Sequence, residues 1–297
     1  MDLLQAIILG IVQGLTEFIP ISSTAHLVFA ARFVNLYNGD PELTTATIAV
    51  IQLGTLVAVF VYFTGDIFNI TSAFVRDHWS LLFAKRKMRF SGTDGVRPLR
   101  LSEEAWLGWL VIIGSIPVGV VGLLAKDFIE GPGTKNLWVI ATMMIVVAIG
   151  LILAEVVATQ RKDIRHLGIG DALVQGFCQV LALMPGSSRS GSTIMGGLFY
   201  GEKRETAARF SFLLSMPAVA ASGLLELREA LKVMPRDAFI NLVVGVVVAG
   251  IIGYASIWFL LNYLKRHTTT VFIVYRVIVG AVILTLLWRG VIDPSVH

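Results

Sequence analysis

Apolar residues fall along this chain in long blocks. Runs of spanning length lie near 43–63, 105–125, 137–157, 206–226, 239–261 and 270–290, and about 20 apolar residues in a helix cross a hydrocarbon layer of about 30 Å. The pattern predicts six transmembrane helices. Two other apolar stretches, roughly 3–36 and 169–200, are each long enough for a hairpin of two half-length helices. Each is broken at its middle, by Pro20-Ile21-Ser22-Ser23-Thr24 and by Pro185-Gly186-Ser187-Ser188-Arg189-Ser190. Backbone opened at membrane depth is tolerated only where protein or a wet cavity satisfies its amides and carbonyls. Both stretches are therefore predicted to be re-entrant hairpins facing a cavity.

The broken stretches resemble each other. Ala6-Ile7-Ile8-Leu9-Gly10-Ile11-Val12-Gln13 runs parallel to Ala172-Leu173-Val174-Gln175-Gly176-Phe177-Cys178-Gln179, and a Pro then Ser-Ser follow in both. With three spans between them, the hairpins enter from opposite sides. The expected fold is an all-α polytopic membrane protein, one integral domain over 1–297, built as an inverted-topology repeat of about 1–157 and about 166–297. The longest polar segment, about 64–104, holds Arg76, Lys85, Arg86, Lys87, Arg89, Arg97 and Arg100 and is predicted to be a cytoplasmic loop by the positive-inside rule. Alternation places nine more basic residues on that side, Arg276 among them, against seven opposite, with Arg189 left at depth and both termini outside. Paired discontinuous helices in corresponding halves point to a binding site near mid-membrane.

Composition agrees. The 297 residues are 56% hydrophobic and 15% charged, with mean hydropathy +0.78, whereas soluble domains carry roughly 25% charged residues. A soluble or disordered protein is excluded. Cys178 is the one cysteine, which excludes an internal disulfide and a cysteine-based zinc site. The net charge of +4 lies in short loops beside spans, so membrane orientation explains it and no nucleic-acid partner is expected. Met1-Asp2 opens without a Lys or Arg before the apolar run, so the first residues are read as part of the fold and not as a cleaved signal peptide.

Polar residues inside apolar stretches carry the chemistry. Gln13 and Glu17 stand four apart on the first half-helix, so their oxygens share one face and suit a ligand or metal ion; Glu17 alone also suits snorkelling or a cap. Pro20 stops that helix, and Ser22, Ser23 and Thr24 open the next with hydroxyls and free amides at its positive end, an anion site. His26 follows Ser23 by three residues. Nucleophile, proton carrier and carboxylate together suit hydrolysis, while His26 alone also reads as a packed histidine. At the second break Gly186 permits close backbone approach, Ser187, Ser188 and Ser190 offer hydroxyls, and Thr193 adds another. Arg189 is either a fork for phosphate oxygens or a structural partner of Glu17. The set describes a phosphate-handling site. Glu17 would repel phosphate unless protonated or bridged by a divalent cation, so Mg²⁺ or Ca²⁺ held through oxygens is the expected cofactor. Gln52 is placed behind these groups, Glu155 and Glu226 at span ends read as snorkelling, and Trp106, Trp138 and Trp288 as interface anchors.

Gln13-Gly14-Leu15-Thr16-Glu17-Phe18, Ser22-Ser23-Thr24-Ala25-His26 and Pro185-Gly186-Ser187-Ser188-Arg189-Ser190-Gly191-Ser192-Thr193 resemble the bacterial undecaprenyl-diphosphatase, or bacitracin-resistance, family. The likeness covers nearly the whole chain, with Gln13 inside the family pattern and Ala25 where glycine is usual. It implies a divalent-cation-dependent hydrolase of the bacterial inner membrane that converts undecaprenyl diphosphate to undecaprenyl phosphate and inorganic phosphate, recycling the carrier for cell-wall synthesis. The implied partners are a polyprenyl diphosphate lipid and the surrounding membrane lipids, with a homodimer allowed. By the same resemblance Glu17 and Gln13 hold the cation, and Arg189, Ser188 and Thr193 hold phosphate. Ser22, Thr24 and Ser190 join them as hydroxyl donors. Ser23 is the preferred attacking group with His26 moving protons; attack by His26 or by water stays open. The first hairpin, and so the site, is expected to open to the outer face. Phosphatidic-acid-type phosphatases carry a nucleophilic His where this chain has Met195. A lipid-phosphate carrier of similar architecture is the remaining rival, and it has no need of Ser23 with His26.

Overall fold

The computed structural model describes residues 1–83, 101–131, 133–234 and 238–295. The basic segment 85–100 lies outside the described residues. Among them the chain forms α1 (Leu3–Phe18), α2 (Ser23–Phe33), α3 (Pro41–Tyr62), α4 (Thr64–Phe83), α5 (Glu103–Leu124) and α6 (Lys126–Glu130). Then follow α7 (Leu137–Val157), α8 (Ile169–Leu181), α9 (Arg189–Phe199), α10 (Arg204–Val233), α11 (Phe239–Leu264) and α12 (Thr270–Trp288). Six of these, α3, α5, α7, α10, α11 and α12, are long and apolar enough to cross a membrane, within a few residues of the six predicted spans. The protein is an all-helical, multi-pass membrane protein.

Local chemistry sets the helix starts. Asp2 and Gln5 exchange backbone-to-side-chain hydrogen bonds of 2.8 Å, a capping box that opens α1. Asp40 accepts from the amides of Glu42 and Leu43 at 3.0 Å, with Pro41 as the first residue of α3. The polar segment 64–104 is not wholly a loop, as expected from its charge. Its first 20 residues form α4, because Ile67, Ile70, Phe74 and Leu81 recur at helical spacing and present a stripe to α5. A search for uninterrupted apolar runs passes over such an amphipathic helix.

α1 packs on α11, α8 packs on α5, α3 lies between α10 and α11, and α7 pairs with α12. The α5–α8 crossing is a backbone contact: a Cβ added at Gly176 would overlap the Gly114 carbonyl. Close approach through small residues is how helices associate where lipid offers no hydrophobic drive. Polarity runs opposite to that of a soluble protein. Leu124 is 84% exposed while Arg276 and Gln175 are 0% exposed.

Two span-end readings change. Trp106 is no interface anchor; it is buried, and its Nε1 donates to the Leu167 carbonyl. Glu155 does not snorkel but accepts from the Arg204 guanidinium and from the amide and hydroxyl of Thr269, tying α7, α10 and α12 together.

Candidate active site

Both hairpins break in the same way. The residue before α2 is Ser22, at φ 77° and ψ 98°, and the residue before α9 is Ser188, at φ 64° and ψ 117°. Non-glycine residues with positive φ cost of order 1–3 kcal/mol and persist only where surrounding structure imposes them. Arg276 of α12 reaches the main chain of both breaks. Its fully buried guanidinium donates to the carbonyls of Pro20 (3.3 Å), Gly186 (3.1 Å) and Ser187 (3.0 Å), and to Met143 (3.3 Å) and Met144 (3.1 Å) of α7. One side chain thus satisfies carbonyls of both breaks and fastens them to α7. Gly186, at φ 94°, passes so close to Ile140 that a Cβ would overlap its main chain. The expectation that Arg276 belongs to the cytoplasmic loops is therefore corrected. Its signal in the sequence was a lone charge inside an otherwise apolar span.

The breaks face a cavity of about 1590 Å³. It is lined by Glu17, Ser22, Ser23, Thr24, Ser188 and Arg189 of the breaks, by apolar residues of α5 and α10 including Val118 and Val219, and by a charged group that includes Lys126, Glu226, Arg228 and Lys232. Arg189 Nη2 donates to Glu17 Oε1 at 2.6 Å, with the two side chains 21% and 9% exposed. The ion pair offered as the structural reading of Arg189 is formed, and both members remain on the cavity wall. Ser188 Oγ accepts from the Gly191 amide at 3.2 Å and so caps α9. Ser22 makes no such cap, and its buried hydroxyl has no partner among the described residues. The first amides of α2 are thus left without a side-chain acceptor beside three hydroxyl residues of the wall.

Other expected site residues stand behind the wall. Gln13 is fully buried, and its Nε2 donates to Glu17 Oε2 at 3.0 Å and to Thr55 Oγ1 at 3.1 Å, bracing the carboxylate. Thr193 donates to the Arg189 carbonyl at 2.8 Å and meets the Ser211 hydroxyl, while Ser190 lies 3.2 Å from Ser188 Oγ. His26 Nδ1 lies 2.7 Å from the Ser22 carbonyl, which can only accept, so Nδ1 carries the hydrogen. Its Nε2 meets the Tyr275 hydroxyl at 2.6 Å, and the rings stack. Ser23 and His26 are not hydrogen-bonded to each other in this arrangement. Gln52 lies on the wall itself and not behind it, and Gln179 of α8, which no motif singled out, lies there too.

No cluster of three or more His, Cys, Asp or Glu gathers as a metal centre among the described residues. The donors on the wall are hard oxygens, the Glu17 carboxylate and the hydroxyls of the breaks, and behind them Gln13 Oε1 is buried without a partner among the described residues. Oxygens of this kind are the donors a divalent cation takes.

Residues 6–282 match the family model described as bacitracin resistance protein BacA. The chain belongs to the BacA family. Its relatives include the undecaprenyl-diphosphatase of Syntrophobacter fumaroxidans, 49% identical over 290 residues that cover 97% of this chain and 99% of that protein. The undecaprenyl-diphosphatases of Chloroherpeton thalassium and Pelodictyon phaeoclathratiforme are 44% and 45% identical over 99% of this chain and 99% and 100% of theirs. The matched region holds both breaks, the ion pair between them and the Arg276 clamp.

Proposed function

We propose that this chain hydrolyses undecaprenyl diphosphate to undecaprenyl phosphate and inorganic phosphate, returning the lipid carrier to cell-wall synthesis and so opposing bacitracin. The observation that carries the reading is a single cavity lined both by phosphate-binding groups and by apolar side chains. Glu17, Arg189 and the hydroxyls of the breaks suit a diphosphate, and the apolar residues of α5 and α10 among the lining suit an isoprenoid chain. The names of the relatives specify the lipid.

Ser23 attacks the distal phosphorus in line. A bond forms from its oxygen to phosphorus, and the bond from phosphorus to the bridging oxygen breaks, releasing undecaprenyl phosphate. Arg189 and the uncapped amides of α2 take up the charge spreading over the phosphoryl oxygens. His26 is held by the Ser22 carbonyl in the tautomer that leaves Nε2 as base. On exchanging Tyr275 for Ser23, it accepts the serine proton. Water then cleaves the phosphoserine, giving inorganic phosphate and restoring Ser23. Ser23 is favoured over His26 as nucleophile because it lines the cavity and His26 does not. Glu17, braced by Gln13, would hold a divalent cation, Mg²⁺ or Ca²⁺, which draws charge off the phosphate when bound.

The inverted repeat is supported by exchanged pairings: α1 packs on α11 as α8 packs on α5, and both breaks share one backbone conformation. Within a bacterial inner membrane the first hairpin then enters from outside, and the site opens to the outer face. A cysteine introduced within 85–100 in a Cys178→Ala background should resist an impermeant thiol reagent in intact cells; labelling there reverses the orientation.

The deciding experiment is phosphate release from undecaprenyl diphosphate by purified protein, with and without chelator, beside Glu17→Ala and Arg189→Ala. Chelator-sensitive turnover that both variants lose is expected. Lipid binding without turnover by folded wild type would indicate a carrier.

A further inference from the structure

Gln179 has no role in the reaction, yet among the described residues it is the cavity side chain with both polar atoms unpaired. It is 1% exposed, it lines the cavity, and neither Oε1 nor Nε2 has a hydrogen-bond partner among the described residues. A buried carboxamide with both atoms unmatched is unfavourable unless a ligand supplies the partners. Its counterpart in the first hairpin, Gln13, differs in this respect, because its Nε2 is engaged by Glu17 and Thr55. Leu183 stands four residues after Gln179, where Glu17 stands relative to Gln13, so α8 offers Gln179 no carboxylate.

Its place in the fold indicates what would satisfy it. α8 carries Gln179 and leads to the break that bears Arg189, and it packs through Gly176 against α5, whose Val118 and Gly119 line the cavity. Gln179 therefore belongs to the helix that leads into the Arg189 break and packs on a helix whose apolar residues line the same cavity. In a lipid diphosphate the group between the charged terminus and the apolar chain is the inner phosphate, bonded to the chain on one side and to the terminal phosphate on the other. The inner phosphate carries one negative charge and the terminal one up to two. A neutral donor suits the first, and a guanidinium suits the second.

We propose that the Gln179 carboxamide hydrogen-bonds the inner phosphate of the substrate, the one that stays on the lipid. Gln179 is thereby a substrate-positioning residue; the proposal rests on the phosphatase reading above. Because that phosphate is kept in the lipid product and is absent from inorganic phosphate, the three ligands separate the contact from other roles.

The test measures KM for undecaprenyl diphosphate, and inhibition by undecaprenyl phosphate and by inorganic phosphate, for wild type, Gln179→Leu and Gln179→Glu, with thermal unfolding as a folding control. For Gln179→Leu, KM and the inhibition constant of the lipid product should rise together by about tenfold, the loss of a hydrogen bond to a charged group. Inhibition by inorganic phosphate and the unfolding temperature should stay unchanged. Gln179→Glu should raise KM further by repulsion. An unchanged KM, a shift confined to inorganic phosphate, a fall in kcat and unfolding temperature alone, or tighter cation-dependent binding by Gln179→Glu would each overturn the assignment. Failure of the phosphatase reading would show separately, as wild type without turnover.

Discussion

Arg189 and Glu17 come from hairpins 172 residues apart and meet at 2.6 Å. Each accounts for the other's presence in an apolar chain, since an unpaired charge there is expensive. Each also faces the cavity, where a phosphate competes for the guanidinium and a cation for the carboxylate. Two consequences follow for substitution. Glu17→Ala and Arg189→Ala should each lower kcat/KM by about a hundredfold or more, the scale for losing a group that meets transition-state charge. The double variant should lose little beyond either single one, because the two act as a unit. Its unfolding temperature should exceed that of each single variant, since removing one partner strands the other's charge. Rates that fall additively would mean that the two act independently.

The nucleophile can be read from the enzyme itself. Quenching during turnover with substrate labelled in its terminal phosphate should leave acid-stable label on Ser23. Ser23→Ala should abolish the label, and His26→Ala should slow its appearance by 10²–10⁴, the usual range for removing a general base. Acid-labile label on His26 would transfer the attack to the imidazole. No label in any variant would support direct attack by water.

Arg276 is predicted to control both geometry and stability. Arg276→Lys keeps the charge but replaces a planar fork by three donors on one nitrogen, too compact to span carbonyls of two breaks and α7. Each carbonyl left without a donor is worth about 1–3 kcal/mol. The expected result is a markedly lower unfolding temperature together with a loss of kcat at least tenfold, although Arg276 does not line the cavity. Wild-type kcat in the lysine variant would show that the breaks hold their conformation without the clamp.

These residues also show what could be read from the chain alone. The six spans and the two breaks were legible because lipid-facing helices must be apolar over their whole length, and because Pro, Gly and Ser clusters have few other uses at that depth. Glu17, Ser23 and Arg189 were legible as polar residues at the breaks. α4 was not, because an amphipathic helix beside a membrane domain has the composition of a loop. The role of Arg276 was hidden because its partners are main-chain carbonyls, which leave no residue-type signature. Ser190 and Thr193 were grouped with Ser188 by spacing, but a helix start turns some hydroxyls to the cavity and others into the protein, and the packing around α9 decides which.

The last prediction concerns Glu202, in the connection between α9 and α10. Its carboxyl is fully buried, accepts from Gln175 Nε2 at 2.7 Å, and has no partner for Oε1 among the described residues. Burial pushes its pKa up from 4.5 to about 8; the Gln175 hydrogen bond opposes the rise, the Asp171 charge adds to it, and Lys162, itself 3.0 Å from Asp171, reduces it. Between those two values the folded protein holds a proton that the unfolded chain has released. Its contribution to stability is therefore complete below 4.5, falls as the pH climbs through about 8, and is level above that. Glu202→Gln keeps the shape and an acceptor for Gln175 but cannot ionise. Unfolding temperatures of the two proteins in detergent should nearly coincide near the acid end of this window and separate progressively toward the alkaline end, with the variant the more stable. The difference between the two curves isolates Glu202 from every other titrating group. Parallel curves across the window would mean that Glu202 is ionised in the folded protein and balanced by Lys162.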